Sequence, residues 1–212
     1  MKLTRKAILL PAFAAILALS ADVRADEDRP TLRRLGKTVV QYEDADAKVV
    51  VGFRYANAHP GSPWLYLEVG MTASGKPVEV AREDISLVTP SGERIPLPAQ
   101  KRVIEDFPDA RRVFMAANIA NDPIEGYFPS TERRERLGFF SVPGEAIVFQ
   151  NVTLNHRTLT LGPLLFQSRR GAFANGSYVL EIQNKWMRAR VPFEIPAREL
   201  SDEPSDPKKV TW

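Results

Sequence analysis

The stretch 63–98, PWLYLEVGMTASGKPVEVAREDISLVTPSGERIPLP, restricts the chain to β-rich folds. Ser74-Gly75 and Ser91-Gly92 each stand between runs that alternate or are rich in β-formers, the mark of a hairpin. Two such hairpins seed an antiparallel β-domain, and the other strands are laid against them. Over 64–72, Leu65, Leu67, Val69 and Met71 share one face, because successive side chains point to opposite sides of a strand. Trp64, Tyr66 and Glu68 share the other. With the first face in the core, the two aromatics lie outward or beneath another element. Pro96 and Pro98 place the strand at 94–97 on a sheet edge, since proline cannot donate to a ladder.

The same period recurs along the chain. Strands are expected at 39–42 and at 48–55, the latter with Val49, Val51, Phe53 and Tyr55 on one face. Another is expected at 134–141, with Leu137 and Phe139 together. Asn155-His156 occupies a hairpin position between 152–154 and 158–161. The clearest pair is 176–182 and 187–195, with Met187, Ala189, Val191, Phe193 and Ile195 inward. A two-residue turn at Asn184-Lys185 sets Glu181 opposite Arg188, an opposite-charge cross-strand pair. Between 99 and 132 the pattern changes. Phe107, Ala110, Phe114 and Ala117 recur at helical steps, Pro108 and Asp109 suit a first turn, and Asn121-Asp122-Pro123 stops the helix. This segment reads as a helical insertion that caps the open end of the β-domain.

The run Asn175-Gly176-Ser177-Tyr178-Val179-Leu180-Glu181-Ile182 resembles the penultimate strand of immunoglobulin-like and fibronectin-type sandwiches of exported proteins. There a glycine turn leads into a strand opened by a tyrosine whose hydroxyl caps a corner, and Tyr178 matches that position. The resemblance implies a mainly β fold: an antiparallel two-sheet immunoglobulin-like sandwich, here with a helical insertion. The Cys–Trp–Cys core pattern of true immunoglobulin domains is missing from this chain.

The ends read differently from the middle. Lys2, Arg5 and Lys6 precede an apolar run over 7–21, and Ala25 offers a small residue for cleavage, so residues 1–25 read as a signal peptide. That run is shorter than the ~20 residues of a bilayer span, and no integral span is expected after cleavage. Residues 26–37 read as a flexible arm, 38–196 as the β-domain and 197–212 as a disordered tail rich in charge and proline. The chain carries 29 basic and 26 acidic residues. Removing 1–25 takes away Lys2, Arg5, Lys6, Arg24 and Asp22, which leaves 25 of each sign. That balance carries no nucleic-acid footprint. The chain has no cysteine, which excludes thiol chemistry and disulfide staples.

No residue grouping specifies catalysis, a metal or a cofactor. His59 and His156 fall in separate loops without ligand spacing or a nucleophile nearby. Glu43, Asp44 and Asp46 read as a solvated acidic turn. Two features point to recognition instead. Phe107, Phe114, Met115, Tyr127 and Phe128 are many large apolar groups for an insertion, and insertions on a rigid scaffold tend to carry binding. Trp186, Arg188 and Arg190 set an aromatic beside two guanidiniums, a combination suited to an anion, a sugar or an acidic partner. The expectation is an exported protein, periplasmic or extracellular, that is not an enzyme and binds a protein or glycan partner in the cell envelope. The alternatives are a carboxylate-dependent hydrolase of envelope polymers and a structural spacer.

Overall fold

The structure, a computed structural model, describes residues 30–120, 122–129 and 133–197. The signal peptide read at 1–25 and residues 198–212 of the tail lie outside the described residues. The strands are β1 (Thr31–Arg34), β2 (Val39–Glu43), β3 (Ala47–Gly52), β4 (Trp64–Ala73), β5 (Val78–Ala81), β6 (Ile85–Val88), β7 (Arg94–Pro96), β8 (Arg133–Arg136), β9 (Asn151–Leu154), β10 (Thr158–Gln167), β11 (Gly176–Gln183) and β12 (Arg188–Ile195). The α-helices are α1 (Arg54–Ala58), α2 (Gln100–Glu105) and α3 (Phe107–Ala120). The chain is mainly β.

The strands form a six-stranded sheet in the order β1-β2-β3-β4-β10-β8, a four-stranded sheet in the order β12-β11-β6-β7, and a separate β5-β9 pair. One apolar cluster joins them. Val49, Val51, Leu67 and Met71 of the larger sheet share it with Leu87, Leu180, Ile182 and Val191 of the smaller. Each fully buried side chain of this size contributes about 1.5–3 kcal/mol relative to exposure, which is how a chain without cysteine holds its fold. Sheet edges are guarded. β7 carries Pro96, β12 carries Pro192, β8 reads Arg-Arg-Glu-Arg, and β1 is four exposed residues that include Arg33 and Arg34. Proline and charge at an edge discourage pairing with another chain.

The hairpin at Ser91-Gly92 is present: β6 and β7 pair antiparallel, with Ser86 opposite Pro96 and Val88 opposite Arg94. Gly92, at φ +80°, supplies the left-handed turn residue. The expected hairpin at Ser74-Gly75 is absent. β4 pairs with β3 and β10, while β5 leaves to pair with β9. Asn155-His156 likewise closes a single bridge, Asn155 to Thr158, between strands that belong to different ladders. The sheets are not wholly antiparallel either. β8 runs parallel to β10, because the chain crosses through 137–150 and β9 before it returns.

Three local readings also change. β3 ends at Gly52, because Phe53 at φ −129°, ψ 27° leaves the extended region and starts α1. Tyr55, expected beside Val51, therefore joins a different apolar cluster. The expected arm at 26–37 contains β1, which pairs along its length with β2. The turn after β11 is longer than two residues, with Asn184 N donating to Met187 O at 3.0 Å. Glu181 accordingly faces Arg190, and Gln183 takes the place opposite Arg188.

The insertion does not cap an open end. It lies on the outer face of the six-stranded sheet, so β4 is buried on both sides. Trp64 and Tyr66, with Leu165 of β10, pack against Val103, Ala110, Val113 and Ala117 of α2 and α3. The helix approaches closely because its sheet-facing stripe is small; Ala110 and Ala117 are fully buried. Trp64 Nε1 donates to Asp106 Oδ2 at 2.8 Å, which ties the α2–α3 junction to the sheet.

Candidate functional site

The residues expected to make a recognition surface on the insertion divide by burial. Phe114 is half-buried, with its ring 4.9 Å from Phe140 and 6.5 Å from Tyr66. Phe128 is buried at the far end of the insertion, over β3 and β4 with Ile124, Val50 and Leu159. Its ring fills the space left by Gly70; a Cβ there would come within 2.8 Å of Phe128 Cε2. Lys48 Nζ lies 5.0 Å from the Phe128 centroid and donates to Tyr127 O at 2.6 Å. Tyr127 and Phe107 are half-buried. Phe114, Tyr127 and Phe128 therefore anchor the insertion to its own sheet. Met115 differs: it is exposed, on the side of α3 opposite Ala110, Val113 and Ala117, and Ile119 one turn on is 89% exposed.

The second expected surface remains open. Trp186 lies in the turn between β11 and β12, 64% exposed, with Lys185 Nζ 4.6 Å from its ring centroid. Asn184 Oδ1 accepts from the backbone N–H groups of Trp186 and Met187 at 2.8 and 2.9 Å, which fixes the turn. Arg188 and Arg190 are alternate exposed residues of β12, while Ala189 and Val191 between and after them face the core.

Sequence reasoning paired Glu181 with the wrong arginine and missed its main role. It is the one buried carboxylate among the described residues, with its side chain 6% exposed on the outer face of β11. Arg190 Nε lies 3.0 Å from Oε1. On the other side Arg94 of β7 reaches across β6 to place Nη1 2.5 Å from Oε2, a close ion pair rather than an aligned hydrogen bond. Arg94 Nη1 also lies 3.3 Å from Ser86 Oγ. One carboxylate is thus shared by two guanidiniums, and both arginine side chains are 57% exposed. Arg188 adds a third guanidinium on the same strand face as Arg190, and Glu194 lies at its far end opposite Ser177. Lys185 stands in the adjoining β11–β12 turn, where Asn184 Nδ2 lies 3.3 Å from Asp84 Oδ2. The missed signal was Arg94, which the sequence places on a different hairpin.

The remaining polar groups of interest are held internally. Asp44 of the acidic turn accepts from Tyr42 Oη at 2.5 Å and from the N–H groups of Asp46 and Ala47 at 2.9 and 2.8 Å. Burial first, and then this carboxylate, push the Tyr42 phenol well above the usual tyrosine range. His59 stacks on Tyr55 with centroids 4.2 Å apart, and its Nδ1 lies 3.0 Å from Tyr55 O. Among the described residues no three His, Asp or Glu side chains gather in a way that would hold a metal ion. Arg134 pairs with Glu125 at 2.7 Å, Arg112 with Asp109 at 3.0 Å, and Arg170 with Glu93 at 3.4 Å. Arg82, 6% exposed, is a buried cation with no carboxylate partner among the described residues. Its guanidinium donates to the carbonyls of Pro98 (2.7 Å), Phe139 (2.6 Å) and Phe149 (3.1 Å) and lies 5.5 Å from the Phe139 ring centroid. Desolvation lowers its pKa.

No helix among the described residues is long and apolar enough to cross a membrane. No family model, curated protein or solved structure matches this chain.

Proposed function

We propose that the chain is an exported, non-enzymatic, immunoglobulin-like sandwich protein that binds a protein or glycan partner in the cell envelope, periplasmic or extracellular. Its binding surface is the outer face of the β12-β11-β6-β7 sheet. The observation that carries this reading is the pair of half-exposed guanidiniums on Glu181, with Arg188 on the same strand face and an exposed tryptophan in the adjoining β11–β12 turn. Guanidiniums with donors facing solvent attract oxyanions, and an exposed indole adds an apolar platform. The architecture is supported by Tyr178, whose hydroxyl donates to the Ala174 carbonyl four residues upstream, as the corner tyrosine of such sandwiches does. Export is supported by the composition of residues 1–25.

The test is a crosslinked pull-down from the native envelope with the tagged protein and a variant carrying Trp186→Ala, Arg188→Ala and Arg190→Ala. Circular dichroism and thermal melting first establish that the variant is folded. A partner captured by the parent protein and lost from the variant is the expected result. A partner retained by the variant moves the site off this face.

A further inference from the structure

We infer that the partner of this face is a linear, carboxylated polysaccharide, held by the Arg94–Arg190 pair and by Arg188, with Trp186 as the platform for a sugar ring. The inference rests on the binding reading above and names its ligand. Glu181 shows the chemistry: its carboxylate already sits between the two guanidiniums, at 2.5 and 3.0 Å. Each guanidinium has five N–H donors, and at 57% exposure both keep donors toward solvent after serving Glu181. The buried carboxylate braces the two long side chains, which reduces the ordering cost when a ligand binds. Arg188 and Arg190, alternate residues of one strand, repeat the charge at roughly 7 Å along β12. A polymer with regularly spaced carboxylates meets that row, whereas a single small anion uses one site.

A sugar polymer fits better than an acidic peptide for a reason in the backbone. A peptide would most readily add as a strand to a sheet edge, where main-chain hydrogen bonds supply the affinity. Both edges of this sheet carry a proline, Pro96 on β7 and Pro192 on β12. Recognition is therefore directed to side chains on the face. At the adjoining β11–β12 turn Trp186 is 64% exposed, with Lys185 Nζ over its ring at 4.6 Å from the centroid, and the opposite face of the indole suits the C–H face of a pyranose.

The experiment measures equilibrium binding of the full chain to three probes: polygalacturonate, its fully methyl-esterified form, and poly-glutamate. The expected result is binding to polygalacturonate, weakened at least about tenfold by esterification, by Arg190→Ala or by Trp186→Ala in folded variants, and weakened further by salt. Equal binding to the ester overturns the role of charge. Tighter binding to poly-glutamate overturns the sugar and makes the ligand an acidic peptide. No binding to polygalacturonate overturns the inference outright. The binding reading survives that last result if the envelope partner is still lost from the triple variant, and falls with it if no partner is captured.

Discussion

Replacing Arg82 with methionine removes one cation shared by three carbonyls, one at Pro98 and two in the segment 137–150. Its guanidinium satisfies the carbonyls of Pro98, Phe139 and Phe149, while the backbone N–H of residue 82, which the substitution keeps, donates to Gln150 O at 2.9 Å. Hydrogen bonds to a charged group are worth about 1.5–3 kcal/mol each, so three give roughly 4.5–9 kcal/mol gross. Methionine no longer desolvates a guanidinium, and that relief returns several kcal/mol. The balance is a loss of about 3 kcal/mol, most of it the carbonyls left without a donor. In a domain of this size that lowers Tm by about 6–12 °C. Urea unfolding followed by tryptophan fluorescence measures it, and the m-value checks that the unfolded state is unchanged. Lysine at the same position keeps the charge and three donors, but on a single nitrogen that cannot span carbonyls now met by Nη1 and Nη2, so Arg82→Lys should recover less than half of the loss. Hydrogen exchange should rise first at 137–150, the segment the guanidinium ties down. A loss below about 1 kcal/mol for Arg82→Met, or full recovery by lysine, would refute the shared-anchor argument.

Three further outcomes follow from the same structure. Gly70→Ala drives a methyl into the Phe128 ring and should cost about 1–3 kcal/mol in urea unfolding, with most of the cost relieved when Phe128 is also changed to Leu. Glu181→Gln leaves Arg94 and Arg190 without their shared anion; because both are more than half exposed, the loss should be only about 1 kcal/mol and should shrink in about 0.5 M NaCl, measured by thermal melting. Burial pushes the Tyr178 phenol up to about 12 and also raises Tyr42 and Tyr55, so their contribution is complete below pH 10, where unfolded tyrosine begins to ionise. Stability should fall as pH rises from about 10 through 12, and absorbance at 295 nm should show these phenols ionising only with unfolding.

Alternation along the strands made the buried faces legible: Leu65, Leu67, Val69 and Met71 all reach the core, as do Met187, Ala189, Val191, Phe193 and Ile195. The insertion and most of its helical stripe were legible too, because Ala110 and Ala117 recur at helical steps. Partners were not. Period two tells which way a side chain points, yet β4 chooses β10 over β5 through contacts that no local pattern encodes. Period also fails where the backbone turns, which is why Tyr55 was assigned to the wrong cluster. Arg82 was invisible for a related reason. It stands before Glu83 and Asp84 and reads as a surface turn, and the acceptors that justify its burial lie on segments well beyond it. On the candidate face, Trp186, Arg188 and Arg190 could be named from sequence, whereas Arg94 required the strand order to bring it near.

The pairing of β4 with β10 sets a schedule for folding. Leu67 and Leu164 are partners in the ladder, roughly a hundred positions apart, and distant pairings of this kind slow folding because a long loop must close before any contact rewards it. During synthesis β4 can acquire β3 early, but its second neighbour does not exist until the ribosome has passed residue 167. The helices that shelter Trp64 and Tyr66 are made before that neighbour and have only half a platform on which to settle. The domain is therefore built to lock late, and a nascent chain is kept open for most of its translation.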